Sequence, residues 1–197
     1  TFSNATVVTD LWIREYEKIY KAVRSARKNR LNDASLAPIL NLKRIYPNKM
    51  QSEALRNIEK LRDQGEDKAL LISATGTGKT YLSAFDVAVF RPKKFLYVVH
   101  RENIAKAAMK SYKNVIGHDI NAGLLSGNSK EFDCDYVFAM VQTISKEDVL
   151  REFTPDYFDY IVIDEVHRAG ADSYNKVVEY FKPKFLLGLT ATPERMD

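Results

Sequence analysis

The sequence has little that would mark a secreted or membrane-inserted protein. It contains one cysteine, Cys134, among 197 residues, so no disulfide can form within the chain, which fits a reducing compartment. No apolar run approaches the roughly 18 residues of a membrane span, and no signal-peptide pattern is present. We therefore expect a cytoplasmic protein with no membrane partner.

The chain also lacks internal repeats and low-complexity tracts, and its excess of charge is small. Hydrophobic residues make up 45% and charged residues 28% of the sequence, which is ordinary for a globular protein. The formal net charge of +4 leans only mildly toward polyanionic partners. The length suits one domain with a substantial core and an extension.

From Pro47 onward, apolar runs alternate with amphipathic stretches. The amphipathic stretches predict helices at 50–65, where Gly65 ends the first helix, and at 80–89, 102–113 and 173–181. Apolar runs predict strands at 68–73, 95–100, 136–141, 160–164 and 185–189. Because continuous apolar strands between helices are typical of parallel sheets covered on both faces, we predict an α/β fold with a mostly parallel sheet.

Residues 1–37 differ from the rest of the chain and predict an N-terminal helical extension with a linker before a domain at 38–197. Apolar residues at helical spacing include Leu11, Ile19 and Val23, and the end of this helix is basic. The basic end fits a solvated face in which cations are favoured by the helix dipole. Contact with nucleic acid is the alternative.

The stretch SATGTGKT, residues 73–80, lies where a predicted strand passes to a predicted helix. Glycines there let backbone amides approach phosphate oxygens, and the helix N-terminus adds a positive dipole end. Lys79 would reach the terminal phosphates and Thr80 would hold Mg²⁺. The standard pattern begins with glycine where this chain has Ser73, and an ordinary strand-to-helix turn is the alternative. The predicted phosphate-binding residues are Thr75, Gly76, Thr77, Gly78, Lys79 and Thr80.

The stretch YIVIDEVH, residues 160–167, runs from an apolar strand directly into two carboxylates. In a parallel sheet, ligands bind beyond the carboxyl ends of the strands, where the glycine-rich loop also lies. Asp164 is therefore placed to hold Mg²⁺, directly or through water. Glu165 is placed to orient or deprotonate an attacking water. A strand that simply ends in acidic turn residues is the alternative.

A third polar stretch, LTATPER at residues 189–195, follows another apolar strand. The hydroxyls of Thr190 and Thr192 could bond His167 or the turn at Asp164 and Glu165, and so link nucleotide state to movement elsewhere. A strand end terminated by proline is the alternative, and the spacing does not decide between the two.

In this order, SATGTGKT, DEVH and TAT resemble motifs I, II and III of superfamily 2 helicases and translocases, over roughly residues 40–197. DEVH is similar to the second motif of the DEAD/DEAH-like group. The motif sequences ATGTGKT, VIDEVHRAG and GLTATPER look most like those of the restriction-enzyme branch (type I and III restriction subunits), which also includes DNA repair helicases. DEAD-box RNA helicases differ, because their second motif ends in aspartate. The resemblance implies a three-layer RecA-like P-loop NTPase domain, the first motor lobe of such an enzyme, with ATP and Mg²⁺ as cofactors.

The resemblance also implies roles for residues that spacing alone does not single out. Gln51 matches the glutamine that recognises adenine, and an amide can both donate to and accept from that base. His167 matches the histidine that couples hydrolysis to movement, and it joins Lys79, Asp164 and Glu165 in the implied catalytic set. The implied nucleic-acid backbone contacts are His100 and Arg101 in motif Ia, and Gln142 and Thr143 in motif Ib. For each of these, a structural polar residue at the end of a strand or helix is the alternative.

The resemblance implies partners as well. The motifs of a second RecA-like domain, including its arginine finger, do not occur before Asp197, so we expect a second lobe in the same polypeptide and weak or no hydrolysis by this lobe alone. TFSNATVVTDLWIREYEKIY resembles the segment that joins a phospholipase D-like nuclease module to a restriction-type helicase in some bacterial proteins. DNA is favoured over RNA as substrate. The alternatives are an RNA helicase and a nucleotide-gated DNA-binding module without useful turnover.

Overall fold

The computed structural model describes residues 45–74, 76–127, 129–165 and 172–191. Six helices and six strands lie within these ranges, and they alternate along most of the chain. In chain order they are α1 (Lys49–Asp63), β1 (Lys68–Ile72), α2 (Lys79–Phe90), β2 (Phe95–Val99), α3 (Glu102–Ile116), β3 (Ala122–Leu125), β4 (Tyr136–Met140), α4 (Val141–Ile144), α5 (Glu147–Leu150), β5 (Tyr160–Asp164), α6 (Asp172–Tyr180) and β6 (Phe185–Thr190).

The strands form one sheet in the order β1-β6-β5-β2-β4-β3. Each neighbouring pair is parallel. In the centre, β2 lies beside β5 with Tyr97 opposite Val162. Because all strands point the same way, the residues that follow them gather along one edge of the sheet, where ligands of such folds bind.

Two apolar clusters cover the two faces of the sheet. Phe95 and Tyr97 of β2 belong to the cluster that includes residues of α1, α2 and α3. Leu96 and Val98, which alternate with them, belong to the cluster that includes residues of α4, α5 and α6. All five residues of β2 are buried, as expected for a strand covered on both faces. The predicted α/β fold with three layers is therefore confirmed.

The predicted strands agree with the observed ones to within one residue at each end, and the long helices begin within one residue of their predicted starts. Three short elements were not predicted, namely β3, α4 and α5. The predicted N-terminal helix and the boundary between residues 37 and 38 lie outside the described residues. In the part of the chain that the structure describes, no helix combines the length and apolar character needed to cross a bilayer.

Candidate nucleotide-binding site

The glycine-rich loop after β1 turns the chain sharply into α2. Gly76 and Gly78 have φ angles of 81° and 80°, in the left-handed region that glycine adopts with least strain. Gly78 is the N-cap of α2, and a Cβ atom there would lie 2.7 Å from Nε2 of Gln51. A side chain at this position would therefore be strained and would displace the Gln51 amide. The loop backbone meets the N-terminus of a twelve-residue helix, a setting that favours anions.

Side chains within the loop hold its shape. The ammonium group of Lys79 donates to the carbonyl oxygens of Ser73 at 2.8 Å and Ala74 at 3.0 Å. A hydrogen bond of 2.7 Å joins the hydroxyls of Ser73 and Thr77, and the Thr77 hydroxyl also donates to the Ala74 carbonyl oxygen at 2.8 Å. Ser73, the departure from the standard pattern, thus supplies a hydroxyl that links the two ends of the turn.

Gln51 connects the start of α1 to this loop. Its Oε1 accepts from the backbone N–H of Asn48 at 2.9 Å, and its own N–H donates to Asn48 Oδ1 at 2.9 Å, which forms a capping box. Its Nε2 donates to the carbonyl oxygens of Gly78 at 3.2 Å and Thr77 at 3.4 Å. Gln51 also lines a pocket with Met50 of α1 and residues of the loop. The predicted adenine-reading amide therefore stands beside the loop and supports it.

Asp164 ends β5 and has both carboxylate oxygens engaged. The Tyr97 hydroxyl donates to Oδ2 at 2.7 Å, and the backbone N–H of Glu165 donates to Oδ1 at 3.0 Å. Burial raises the pKa of the Asp164 carboxyl, while these two hydrogen bonds and the positive charge of Lys79 oppose the rise. The carboxylate is thus held in one orientation, within the electrostatic reach of the loop lysine.

Glu165 adopts an uncommon backbone conformation and has a close neighbour. Its φ angle is 59°, in the left-handed region that costs a non-glycine residue roughly 1–3 kcal/mol. Its Oε2 lies 2.8 Å from Nδ1 of His100, and the two side chains are 34% and 12% exposed, respectively. His100, which is predicted to contact nucleic acid, therefore lies beside Glu165, which is predicted to act on water.

The remaining nucleic-acid candidates differ in exposure. Arg101 and Gln142 are exposed and follow the neighbouring strands β2 and β4 at the same edge of the sheet. Thr143 is buried in α4. Of the four predicted contacts, the structure thus presents Arg101 and Gln142 openly at the surface.

The predicted coupling residues are described only in part. Thr190 is buried at the end of β6, and its carbonyl oxygen accepts from the backbone N–H of Ser73 at 3.0 Å. The third motif therefore begins directly beside the glycine-rich loop. Predicted residues that lie outside the described ranges are Thr75, His167 and Thr192.

Thr80 and Asp164 form a donor set that fits Mg²⁺. The Asp164 carboxylate accepts a hydrogen bond from the Tyr97 hydroxyl, and the Thr80 side chain lies near enough to that phenol to oppose the rise of its pKa, so both lie beside one buried group. Mg²⁺ takes few protein carboxylates and keeps waters or phosphate oxygens as its other ligands. Among the residues with described positions, no cluster of three histidine, cysteine, aspartate or glutamate residues could hold a metal, so the donor set does not match a site built wholly from protein ligands.

The sequence reasoning missed Tyr97 as a member of this site. It treated the residue as part of an apolar strand, and the structure places its hydroxyl on Asp164. One signal was available, because a buried tyrosine hydroxyl needs a hydrogen-bond partner and this one lies two residues before the end of β2, at the edge of the sheet that carries the site.

Several known proteins are similar to this chain in sequence or in structure. The Type I restriction enzyme EcoAI endonuclease subunit of Escherichia coli is 30% identical over 161 residues, which are 75% of this chain and 19% of that protein. The DNA 3'-5' translocase XPB2 of Sulfurisphaera tokodaii is 24% identical over 132 residues, covering 67% of this chain and 28% of that protein. The solved Sulfolobus solfataricus SWI2/SNF2 ATPase core in complex with dsDNA superposes with a TM-score of 0.62 at 18% identity, over 76% of this chain and 33% of that one.

The chain therefore spans about a third or less of each of these three proteins. The structural likeness establishes the RecA-like helicase fold. The family described as Type III restriction enzyme, res subunit matches residues 44–195, which include all three motifs that predicted the restriction-enzyme branch. The chain belongs to this restriction-enzyme res subunit family of superfamily 2 helicase-like proteins.

Proposed function

We propose that this chain is the ATP-binding lobe of a DNA-dependent ATPase motor of the helicase or translocase type. The observation that carries the proposal is that the glycine-rich loop and the Asp164-Glu165 pair lie at the same edge of the sheet. There the positive charge of Lys79 acts to lower the pKa of Asp164. A loop that offers amides and a lysine beside a magnesium-type donor set suits a nucleoside triphosphate.

In this proposal each residue has a distinct task. Lys79 and the loop amides bind phosphate oxygens, and Thr80 with Asp164 holds Mg²⁺. When bound, Mg²⁺ neutralises charge on the phosphates. Glu165 orients the attacking water and accepts its proton. The coupling role belongs to His167, Thr190 and Thr192, which would transmit nucleotide state to a second RecA-like lobe that supplies an arginine finger.

DNA is the proposed substrate. The relatives named for DNA translocation and for a dsDNA complex favour it over RNA. Arg101 and Gln142 are exposed and follow the paired strands β2 and β4. They would contact the sugar-phosphate backbone without reading the base sequence. His100 and Thr143 complete that predicted set. A phospholipase D-like nuclease module ahead of this lobe is a further part of the proposal.

The first test is nucleotide binding by the 197-residue chain. We expect Lys79→Ala to weaken Mg²⁺-ATP binding about 10- to 100-fold, because a charge-assisted hydrogen bond to phosphate contributes roughly 1.5–3 kcal/mol. Fluorescence of a labelled ATP analogue would report the affinity. The matched control is Lys110→Ala, which removes an exposed lysine of α3 and should bind as the wild type does. Equal affinities in all three proteins would contradict the proposed site.

The second test concerns the nucleic acid. ATP hydrolysis by the longer polypeptide that carries both lobes would be measured without nucleic acid and with single-stranded DNA, duplex DNA and RNA in turn. We expect stimulation by DNA. Stimulation by RNA alone would identify an RNA-remodelling enzyme, and ATP binding without hydrolysis under every condition would identify a nucleotide-gated binding module.

Gln51 offers a test of base recognition. The variant Gln51→Glu keeps an acceptor for the Asn48 N–H and loses the donor that faces the loop carbonyls. We expect ATP affinity to fall by about 10-fold or more and GTP affinity to fall less, because the adenine edge would lose its amide partner. Binding of the two nucleotides to the chain would be compared with that of Gln64→Glu, an exposed position just past α1. An equal loss for both nucleotides would restrict Gln51 to support of the loop.

A further inference from the structure

Tyr97 reaches the proposed metal site from the buried centre of the sheet. Its side chain has no exposed surface, and its hydroxyl donates to Asp164 Oδ2 at 2.7 Å. The Thr80 side chain lies near enough to the same phenol to oppose the rise of its pKa. The phenol of Tyr97 therefore lies beside the two residues that would hold Mg²⁺ and donates to one of them, Asp164.

The sheet register explains how the ring arrives there. Tyr97 lies opposite Val162 on the neighbouring strand, and Asp164 follows Val162 by two residues on the same face. That step along a strand is about 6.6 Å, a distance that the phenol ring and its hydroxyl can span. The ring position is fixed by two aromatic neighbours, since its centroid lies 5.6 Å from that of Tyr112 and 5.7 Å from that of Phe138.

These contacts limit the freedom of the Asp164 carboxylate. One oxygen accepts from Tyr97 and the other from the backbone N–H of Glu165, while each oxygen keeps a second lone pair for another ligand. A phenol is ordinarily protonated at neutral pH, so the Tyr97 hydroxyl remains a donor toward Asp164. The partner of a metal ligand commonly sets that ligand's direction and affinity.

We propose that Tyr97 is a positioning residue, whose hydroxyl orients the Asp164 carboxylate toward Mg²⁺ bound with the nucleotide. This role rests on the proposed function of the site. It predicts that loss of the Tyr97 hydroxyl weakens nucleotide binding in the presence of Mg²⁺ and does not change the nucleotide affinity measured without the metal.

Tyr97→Phe and Tyr112→Phe make a matched pair. Tyr112 is also fully buried and packs against Tyr97, but its hydroxyl donates to Ser83 Oγ at 2.8 Å and not to the Asp164 carboxylate. Each variant removes one buried hydroxyl and its hydrogen bond, so the losses of stability should be similar. The measurement is the affinity of the 197-residue chain for a labelled ATP analogue, titrated with Mg²⁺ and repeated in chelator, with thermal unfolding of every variant.

We expect Tyr97→Phe to raise the Mg²⁺ concentration for half-maximal binding about 10-fold or more, with the affinity in chelator unchanged. Tyr112→Phe should match the wild type in both values. Equal Mg²⁺ requirements in the two variants, or an equal loss of affinity with and without the metal, would overturn the role of Tyr97. A wild-type chain whose nucleotide binding ignores Mg²⁺ would instead overturn the proposed function.

Discussion

Replacing Asp86 with alanine is expected to lower the free energy of unfolding by about 3–5 kcal/mol, the usual effect of removing one partner of a buried ion pair. Asp86 in α2 is 1% exposed. Both of its carboxylate oxygens accept from the Arg62 guanidinium, at 2.7 and 2.8 Å, and the Tyr160 hydroxyl donates to it as well. Removing the carboxylate leaves the guanidinium charge and the phenol hydroxyl without their partner.

The Arg62 guanidinium is packed against two aromatic rings and is mostly buried. It lies over the ring of Phe185 at 4.9 Å and near that of Phe90 at 5.6 Å, and its side chain is 16% exposed. Burial disfavours the charged form, yet the hydrogen bond and charge of Asp86 raise the pKa of Arg62 overall. The Asp86 carboxylate therefore offsets the cost of burying the positive charge of Arg62.

Urea unfolding of the 197-residue chain would measure the effect, with Asp156→Asn as the control because Asp156 is exposed. The double variant Arg62→Met with Asp86→Leu should recover most of the loss, since well-packed apolar residues often replace a buried pair without cost. A loss below about 1 kcal/mol for Asp86→Ala would place the pair among weak surface-type ion pairs. A double variant no more stable than Asp86→Ala would show that the unpaired cation is not the cause.

This ion pair also matters for the candidate site, because it joins the elements that carry the site. Arg62 lies near the end of α1, whose first turn holds Gln51, and Asp86 lies in α2, which begins at the glycine-rich loop. Tyr160 opens β5, the strand that ends at Asp164. Arg62 and Asp86 do not stand out in the sequence, because a charged residue within a helical pattern is normally solvent-exposed, and Tyr160 is part of an apolar strand pattern.

The elements that the sequence predicted well share a physical cause. The strands β2, β4 and β5 are almost wholly buried. They therefore appear in the sequence as continuous apolar runs, which can be recognised without knowledge of tertiary contacts. The glycine-rich loop and the Asp164-Glu165 pair are likewise local patterns, and a parallel sheet brings them to one edge whatever the strand order.

The elements that the sequence missed lack such local patterns. The strand β3 has four residues and includes Gly123, which is unfavourable in strands and tolerated here because a side chain would collide with Cys134 and Glu131. The helices α4 and α5 have four residues each, too few for a helical period to show.

Contacts between side chains on different strands could not be predicted from the sequence, for a different reason. Tyr97 and Asp164 are 67 positions apart, and their contact depends on β2 lying beside β5. The same adjacency brings His100 to Glu165. The motif resemblance assigned His100 and Glu165 separate tasks, and only the strand order shows that the two side chains touch.

Glu165→Gln is expected to lower the rate constant kcat of ATP hydrolysis about 10²- to 10⁴-fold, the range for loss of a positioned general base. Glutamine has the shape of glutamate, so it can keep the contact with His100 Nδ1 that Glu165 makes at 2.8 Å. It has no carboxylate to take a proton from water. Nucleotide affinity should stay unchanged, because the proposed phosphate and metal ligands are Lys79, Thr80 and Asp164.

Two measurements separate these effects. Labelled-ATP binding to the 197-residue chain reports the affinity, and DNA-stimulated hydrolysis by the two-lobed polypeptide reports kcat. The control Glu147→Gln makes the same chemical change at a side chain that is 74% exposed in α5 and should leave both values as in the wild type. If Glu165→Gln hydrolysed ATP at the wild-type rate, Glu165 would not be the base, and its contact with His100 would be a structural link between β2 and β5. If it lost ATP affinity and kcat together, Glu165 would act in nucleotide binding, and the transfer of the water proton would belong to another group at this edge of the sheet.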